Sequence, residues 1–89
     1  MKIQISKHFV KDAKKIADKR ILLKIKQIIE KAGEVEDLSQ LTGIEEMSGY
    51  PNYYRCKFDY RYRIGIFLDA GTVQFLRVGR RESFYKKFP

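Results

Sequence analysis

Ile3 and Ile5 alternate with Lys2 and Gln4, the period-two signature of a short strand. Ser6 follows where a helix N-cap belongs, since its hydroxyl can accept from an unpaired amide of the first turn. From about Lys7 the spacing changes. Phe9, Ala13, Ile16 and Ala17 recur at helical intervals, with Lys11, Asp12, Lys14, Lys15 and Asp18 on the remaining faces. Leu22, Ile25, Ile29 and Ala32, supported by Ile21 and Ile28, repeat that stripe up to Gly33, a residue suited to ending a helix. The two stripes predict a helical hairpin that turns near Asp18 to Arg20.

The apolar period lapses between Glu34 and Thr42, a connector that holds Leu38 and Leu41 and receives no firm element. Beyond it, Ile44 to Met47, Asn52 to Phe58, Arg61 to Leu68 and Thr72 to Val78 are rich in aromatic and β-branched residues. Turn signals separate them at Ser48-Gly-Tyr-Pro, Asp59-Tyr and Asp69-Ala-Gly, so the strands should form an antiparallel meander. The ending from Gly79 onward has room for one or two helical turns. The pattern predicts one α+β domain over residues 1–89: an N-terminal strand and a helical hairpin packed on a meander of about four antiparallel strands, closed by a short C-terminal helix.

Alternation along the strands separates two faces. Tyr53, Arg55 and Lys57 point one way, and Tyr54, Cys56 and Phe58 the other. In the next strand Tyr62, Ile64, Ile66 and Leu68 share the apolar parity, opposite Arg61, Arg63, Gly65 and Phe67. Cations directly opposed across two strands repel by about a few tenths of a kcal/mol or more per pair, a cost that a bound phosphate would relieve. Tyr53 and Phe67 interleave with them and offer surfaces for an unstacked base. The plainer alternative is a solvated basic face that blunts the sheet.

Charge strengthens the polyanion reading. The chain of 89 residues carries 19 Lys and Arg against 11 Asp and Glu, a net charge of +8. Nine of the twelve lysines precede residue 33, whereas six of the seven arginines (Arg55, Arg61, Arg63, Arg77, Arg80 and Arg81) follow residue 50. Arginine grips phosphate through a rigid fork, so a binding site is expected in the C-terminal half. Between the basic blocks, residues 33–49 hold five acids and no base. One cysteine, Cys56, cannot make an internal disulfide, and one histidine, His8, leaves no recognisable zinc set, so neither metal nor cofactor is expected. No apolar run nears the roughly 20 residues of a membrane span, and the N-terminus lacks a signal peptide's apolar stretch, which reads as cytoplasmic.

The order of elements, with Phe9…Lys14-Lys15-Ile16, Leu41-Thr-Gly, Tyr54-Arg-Cys-Lys, Tyr60-Arg-Tyr-Arg-Ile and Val78-Gly-Arg-Arg…Phe84-Tyr, resembles the RelE/ParE superfamily of toxins from toxin–antitoxin pairs. The resemblance spans almost the whole chain. RelE-like members cleave messenger RNA in the ribosomal A site, and ParE-like members poison DNA gyrase on a similar scaffold. The RelE-like pattern surrounds the RNA with a lysine-rich strand, an arginine in the next strand, an arginine after the last strand and a tyrosine near the C-terminus. Here Arg55 and Lys57, Arg63, Arg81 and Tyr85 stand at those positions, with Arg55 replacing a second lysine.

The resemblance therefore implies a ribosome-dependent messenger RNA endonuclease, with a cognate antitoxin, the ribosome and messenger RNA as partners. A gyrase inhibitor and a non-catalytic binding module are the alternatives. In metal-free cleavage a 2′-hydroxyl attacks the adjacent phosphate, charge on phosphorus is stabilised and the departing 5′-oxygen is protonated. Arg63 and Arg81 are expected to hold the phosphate, with Arg55 in support, and the resemblance also implies Arg81 as the leaving-group acid. Lys57 is the expected base, since like charges nearby favour a neutral fraction. Tyr85 can orient the 2′-hydroxyl, move a proton or stack. Arg61, Arg80 and Tyr53 are expected to bind RNA. His8 and Gly79 read as structural positions, Glu82 as either an arginine's ion-pair partner or the start of the last helix, the helix lysines as a solvated face or a contact to ribosomal RNA away from the cut, and Cys56 as a small buried hydrophobe.

Overall fold

A computed structural model describes all residues from Met1 to Pro89. β1 (Lys2–Ile5) passes through Ser6 into α1 (Lys7–Lys14), and α2 (Lys19–Glu34) runs back across the sheet. A single 3-10 turn (Leu38–Gln40) leads to β2 (Ile44–Glu46), β3 (Tyr53–Cys56), β4 (Tyr62–Asp69) and β5 (Thr72–Arg80), and α3 (Arg81–Phe84) follows at once. Caps place the helix ends. Ser6 Oγ accepts from the Phe9 amide at 3.0 Å, as expected. Asp18 Oδ1 accepts from the Arg20 amide at 2.9 Å, so the turn falls before Lys19 instead of at Asp18 to Arg20, and Ile16 and Ala17 lie in it. α2 continues through Gly33 to Glu34, because Gly33 keeps helical geometry where the helix passes over Ile3 of β1.

The sheet has five strands in the order β1-β5-β4-β3-β2, not about four. The meander is antiparallel as expected, but β1 adds to β5 in parallel, with Ile3 opposite Val73 and Ile5 opposite Phe75. The helical hairpin is the crossover that brings these distant segments together, and local periodicity carries no mark of such a pairing. Phe9, Ile21, Ile25 and Ala32 pack on Ile64, Ile66, Val73, Phe75 and Val78 to form the core. Leu38 and Leu41 from the unassigned connector are equally buried there, held by a capping box between Asp37 and Gln40.

A bulge in β5 alters the alternation. Gly65 pairs with Arg77, but Ile66 pairs with Phe75, which leaves Leu76 unmatched. Val73 and Phe75 therefore face the core at odd positions and Val78 at an even one. Ser6 stabilises the bulge, its hydroxyl donating to the Leu76 carbonyl at 2.8 Å.

The other face of the sheet carries its own small apolar layer. Phe84 and Phe88 are buried with ring centroids 5.1 Å apart, and Phe88 lies 5.8 Å from Tyr53. The layer depends on Gly65, where an added Cβ would come within 2.5 Å of the Phe88 ring. Gly65→Ala should cost about 2 kcal/mol through overpacking, and so lower the thermal midpoint by about 8–16 °C. Calorimetry checks this, and tryptic cleavage at Lys86 and Lys87 should accelerate in the variant as the tail lifts.

Candidate functional site

Arg55 is the centre of the basic face. It sits on β3 opposite Gly65 of β4, where the missing side chain leaves room for the Phe88 ring of the tail. Arg63 faces Gly79 across β4 and β5 in the same way. Thus no two cations stand directly opposed in the paired register, and the expected cross-strand repulsion is avoided by glycines.

Arg55 Nη1 donates to the Tyr85 hydroxyl at 3.1 Å, and its Cζ lies 5.6 Å from the centre of the Tyr85 ring. Its Nη2 donates to Glu45 Oε2 at 3.2 Å, while Lys57 Nζ pairs with Glu45 Oε1 at 2.9 Å. Glu45 on β2 is the direct cross-strand partner of Arg55. Hydrogen bonds from Lys57, then Arg55, hold the Glu45 carboxyl below the usual carboxylate range. Burial works against the Arg55 charge, but Glu45 and Tyr85 outweigh it, so the guanidinium is more firmly charged than usual. The Lys57 backbone is fixed as well: its amide donates to the Gly43 carbonyl at 2.9 Å. At Gly43, with φ of +79°, a Cβ would stand 2.6 Å from the Lys57 carbonyl oxygen.

Arg63 is clamped to its own turn. Its Nη1 donates to the carbonyls of Asp59 at 2.8 Å, Tyr62 at 2.9 Å and Tyr60 at 3.3 Å. The Nε groups of Arg55 and Arg63 are buried with no partner, an unusual state for charged donors. Arg81 opens α3, its amide donating to the Arg61 carbonyl at 2.8 Å and its guanidinium carbon 4.8 Å from the Tyr60 ring centre.

Arg55, Lys57 and Tyr85 are thus joined, with Arg63 on the same face and Arg81 at its margin. Arg61 and Arg80 are not part of that group. β4 begins at Tyr62, so alternation does not reach Arg61, and both arginines line a cleft of about 730 Å³ beside the α1–α2 turn. Tyr53 is half-buried against Phe67, at 4.8 Å between centroids, and Phe88, so its ring serves the C-terminal layer. Cys56 is fully buried as expected, and burial pushes its thiol up to about 11. No helix is long and apolar enough to cross a membrane.

The family model for the ParE toxin of type II toxin–antitoxin systems, parDE, matches residues 3–85. The chain belongs to this toxin family, within the RelE/ParE superfamily. Toxin RelE3 of Methanocaldococcus jannaschii is 41% identical to this ParE-family chain over 90 residues, spanning 100% of each. The toxin also resembles a chain of the RelB-RelE antitoxin-toxin complex from Methanococcus jannaschii, with a TM-score of 0.83 and 38% identity over 97% of this chain and 99% of that one. A chain of the E. coli DinJ-YafQ toxin-antitoxin complex shares the fold at a TM-score of 0.75 and 20% identity, over 93% and 94% of the two chains.

In this family member the sequence reading missed Glu45. Glu45 was counted among the five acids of residues 33–49 and fell within the expected strand from Ile44 to Met47, but it was not matched to Arg55 and Lys57 on the neighbouring strand. A search for opposite charges at matched positions of adjacent strands would have found it. It missed Tyr60 too, which is 73% exposed beneath Arg81.

Proposed function

We propose that this toxin is an RNA endonuclease that cuts messenger RNA on the ribosome and is held inactive by a cognate antitoxin. The observation that carries the reading is the linked set of Arg55, Lys57, Glu45 and Tyr85 on the basic face. A protein–protein inhibitor has no use for such a set, whereas RNA cleavage needs a proton acceptor, a proton donor and fixed cations on one face.

The chemistry follows from the bonds already made. The 2′-oxygen attacks phosphorus, and its proton passes to the Glu45 carboxylate, which Lys57 Nζ holds at 2.9 Å. Arg63, immobilised by three carbonyls, and Arg81 balance the charge that grows on the phosphoryl oxygens. The bond from phosphorus to the 5′-oxygen breaks, and that oxygen takes a proton from Tyr85. The phenol is suited to this because its oxygen accepts from Arg55, which leaves its own hydrogen free to donate.

The products should carry a 2′,3′-cyclic phosphate or 3′-phosphate and a 5′-hydroxyl, and cutting should survive EDTA at concentrations that leave ribosomes intact. End-group analysis of the fragments is the test, and 5′-phosphate ends would refute 2′-oxygen attack. The second reading, gyrase inhibition, is favoured by the ParE name of the matching family. Pulse labelling after expression separates the two. Translation should stop first with new messenger RNA 5′ ends, while arrest of DNA synthesis without new ends supports the gyrase target.

The antitoxin follows from the solved relative, which is a RelB-RelE antitoxin-toxin complex. An acidic segment of such a partner would compete with RNA for the basic face, where Glu45 already occupies two cations.

A further inference from the structure

We propose that the cleft between the α1–α2 turn and the β3–β4 turn is a second RNA subsite, which holds single-stranded RNA beyond the scissile phosphate with Tyr60 as the platform for one unstacked base. The inference rests on the RNA reading above and extends it to the substrate's flank.

The first argument is electrostatic. The acids lining the cleft are already engaged: Asp12 by Arg77 and Lys87, Asp18 by Arg20, and Asp59 by Lys24. Lys15, Arg61 and Arg80 line the same cleft and take part in no ion pair. Three cations without counter-ions, drawn from three separate elements, form a concave surface matched to a phosphodiester. The volume of about 730 Å³ lies in the range that accepts a ligand of nucleotide size.

The second argument is aromatic. Tyr60 stands at the rim, 73% exposed, although a tyrosine normally gains by burial. The Arg81 guanidinium rests 4.8 Å from the centre of its ring, which fixes the ring and makes it a charged, sequence-tolerant stacking surface. Arg81 stands at the margin of the cleavage face, and the hydrogen bond that its amide donates to the Arg61 carbonyl ties the cleft's rim to that face. A strand leaving the cut therefore meets Tyr60 next.

Such RNA has two sources, the message itself or ribosomal RNA near the cut, and one experiment separates them. The chain contains no tryptophan, so Tyr60→Trp supplies a single emitter whose fluorescence a stacked base quenches. With a single-stranded 2′-O-methyl oligonucleotide, which cannot be cut, binding should quench this variant. Tyr60→Ala should weaken binding about tenfold and Tyr60→Phe should restore it. Lys15→Glu should flatten the salt dependence by about 0.7 in the log–log slope. On ribosomes, quenching that vanishes when the message ends at the cut codon assigns the flank to the message, and quenching that persists assigns it to ribosomal RNA. Either result supports the subsite. Oligonucleotide binding by the wild type, seen as anisotropy, with no quenching of Tyr60→Trp and an unchanged Tyr60→Ala affinity overturns the subsite and leaves the cleavage reading standing. Quenching by polyglutamate but not by RNA overturns it in favour of a protein dock. Absence of any RNA binding or cutting by the wild type removes the cleavage reading and the subsite with it.

Discussion

Arg81→Ala should lower the single-turnover rate of the proposed RNA cleavage by about 10²-fold or more, since losing one donor aimed at a developing charge typically costs about 3–4 kcal/mol. Binding suffers less, because other cations still attract the strand. The guanidinium is half-exposed, 3.9 Å from Glu82 and stacked on Tyr60, so its removal opens no core cavity and the fold persists. Lys14→Ala is the matched control: Lys14 lies on α1 and makes no ion pair. Losing it removes one long-range charge and leaves the saturated rate unchanged. Rapid-quench measurement on programmed ribosomes reads both variants. Equal losses from Arg81→Ala and Lys14→Ala would falsify the site, because arginines that merely concentrate RNA cannot be told from lysines.

The same measurement bears on which branch of the superfamily the chain follows. The matching family model carries the ParE name and the relative at 41% identity carries the RelE name, so names alone do not settle a target. What distinguishes the branches physically is whether a linked set of proton carriers exists. Arg55, Lys57, Glu45 and Tyr85 form one, linked through the Glu45 carboxylate and the Tyr85 hydroxyl before substrate arrives. Preformed hydrogen bonding of this kind suits chemistry more than surface complementarity, which needs shape and apolar anchors.

Elements set by short-range pattern were legible in the sequence. The Ser6 cap, the two helical stripes and the meander all follow from spacing within a few residues, and Arg55, Lys57, Arg63, Arg81 and Tyr85 were named from strand parity and the family resemblance. Features set by distant pairing were hidden. The parallel union of β1 with β5, the Leu76 bulge and the tail layer over Gly65 each join segments far apart in the chain, where alternation has nothing to report. Glu45 escaped for the same reason, as its meaning lies in the strand beside it. Asp12 shows the limit best: the helical wheel put it on the outer face of α1, yet it is only 6% exposed. The wheel sees hydrophobicity, and Asp12 is buried by hydrogen bonds.

That burial makes the stability of the fold depend on the Asp12 charge. β1 ends opposite Phe75, so β5 runs on with an open edge, and the Asp12 carboxylate fills it. Its Oδ2 accepts from the Val78 amide at 3.1 Å and from Arg77 Nε at 2.8 Å, and its Oδ1 accepts from Arg77 Nη2 at 3.0 Å. Lys87 Nζ stands 3.4 Å from Oδ1, so the same carboxylate also tethers the tail that carries Tyr85. Burial alone would push Asp12 up, but Arg77, the Val78 amide and Lys87 outweigh it and hold the carboxyl below its ordinary value of 3.8. The folded pKa is therefore the depressed one. Its contribution is fully present above the unfolded value near 3.8 and is lost as pH falls through the lower, folded value. Asp12→Ala should cost about 3 kcal/mol, because it strands a buried amide and two cations, which corresponds to a fall of about 12–24 °C in the thermal midpoint. Asp12→Asn keeps an acceptor without the charge, so it should lose less and show a shallower decline of stability below pH 4. Thermal denaturation of the three proteins across pH reads both effects. An Asp12→Asn variant with wild-type stability at neutral pH and a wild-type acid limb would mean that the edge of β5 is held by packing alone.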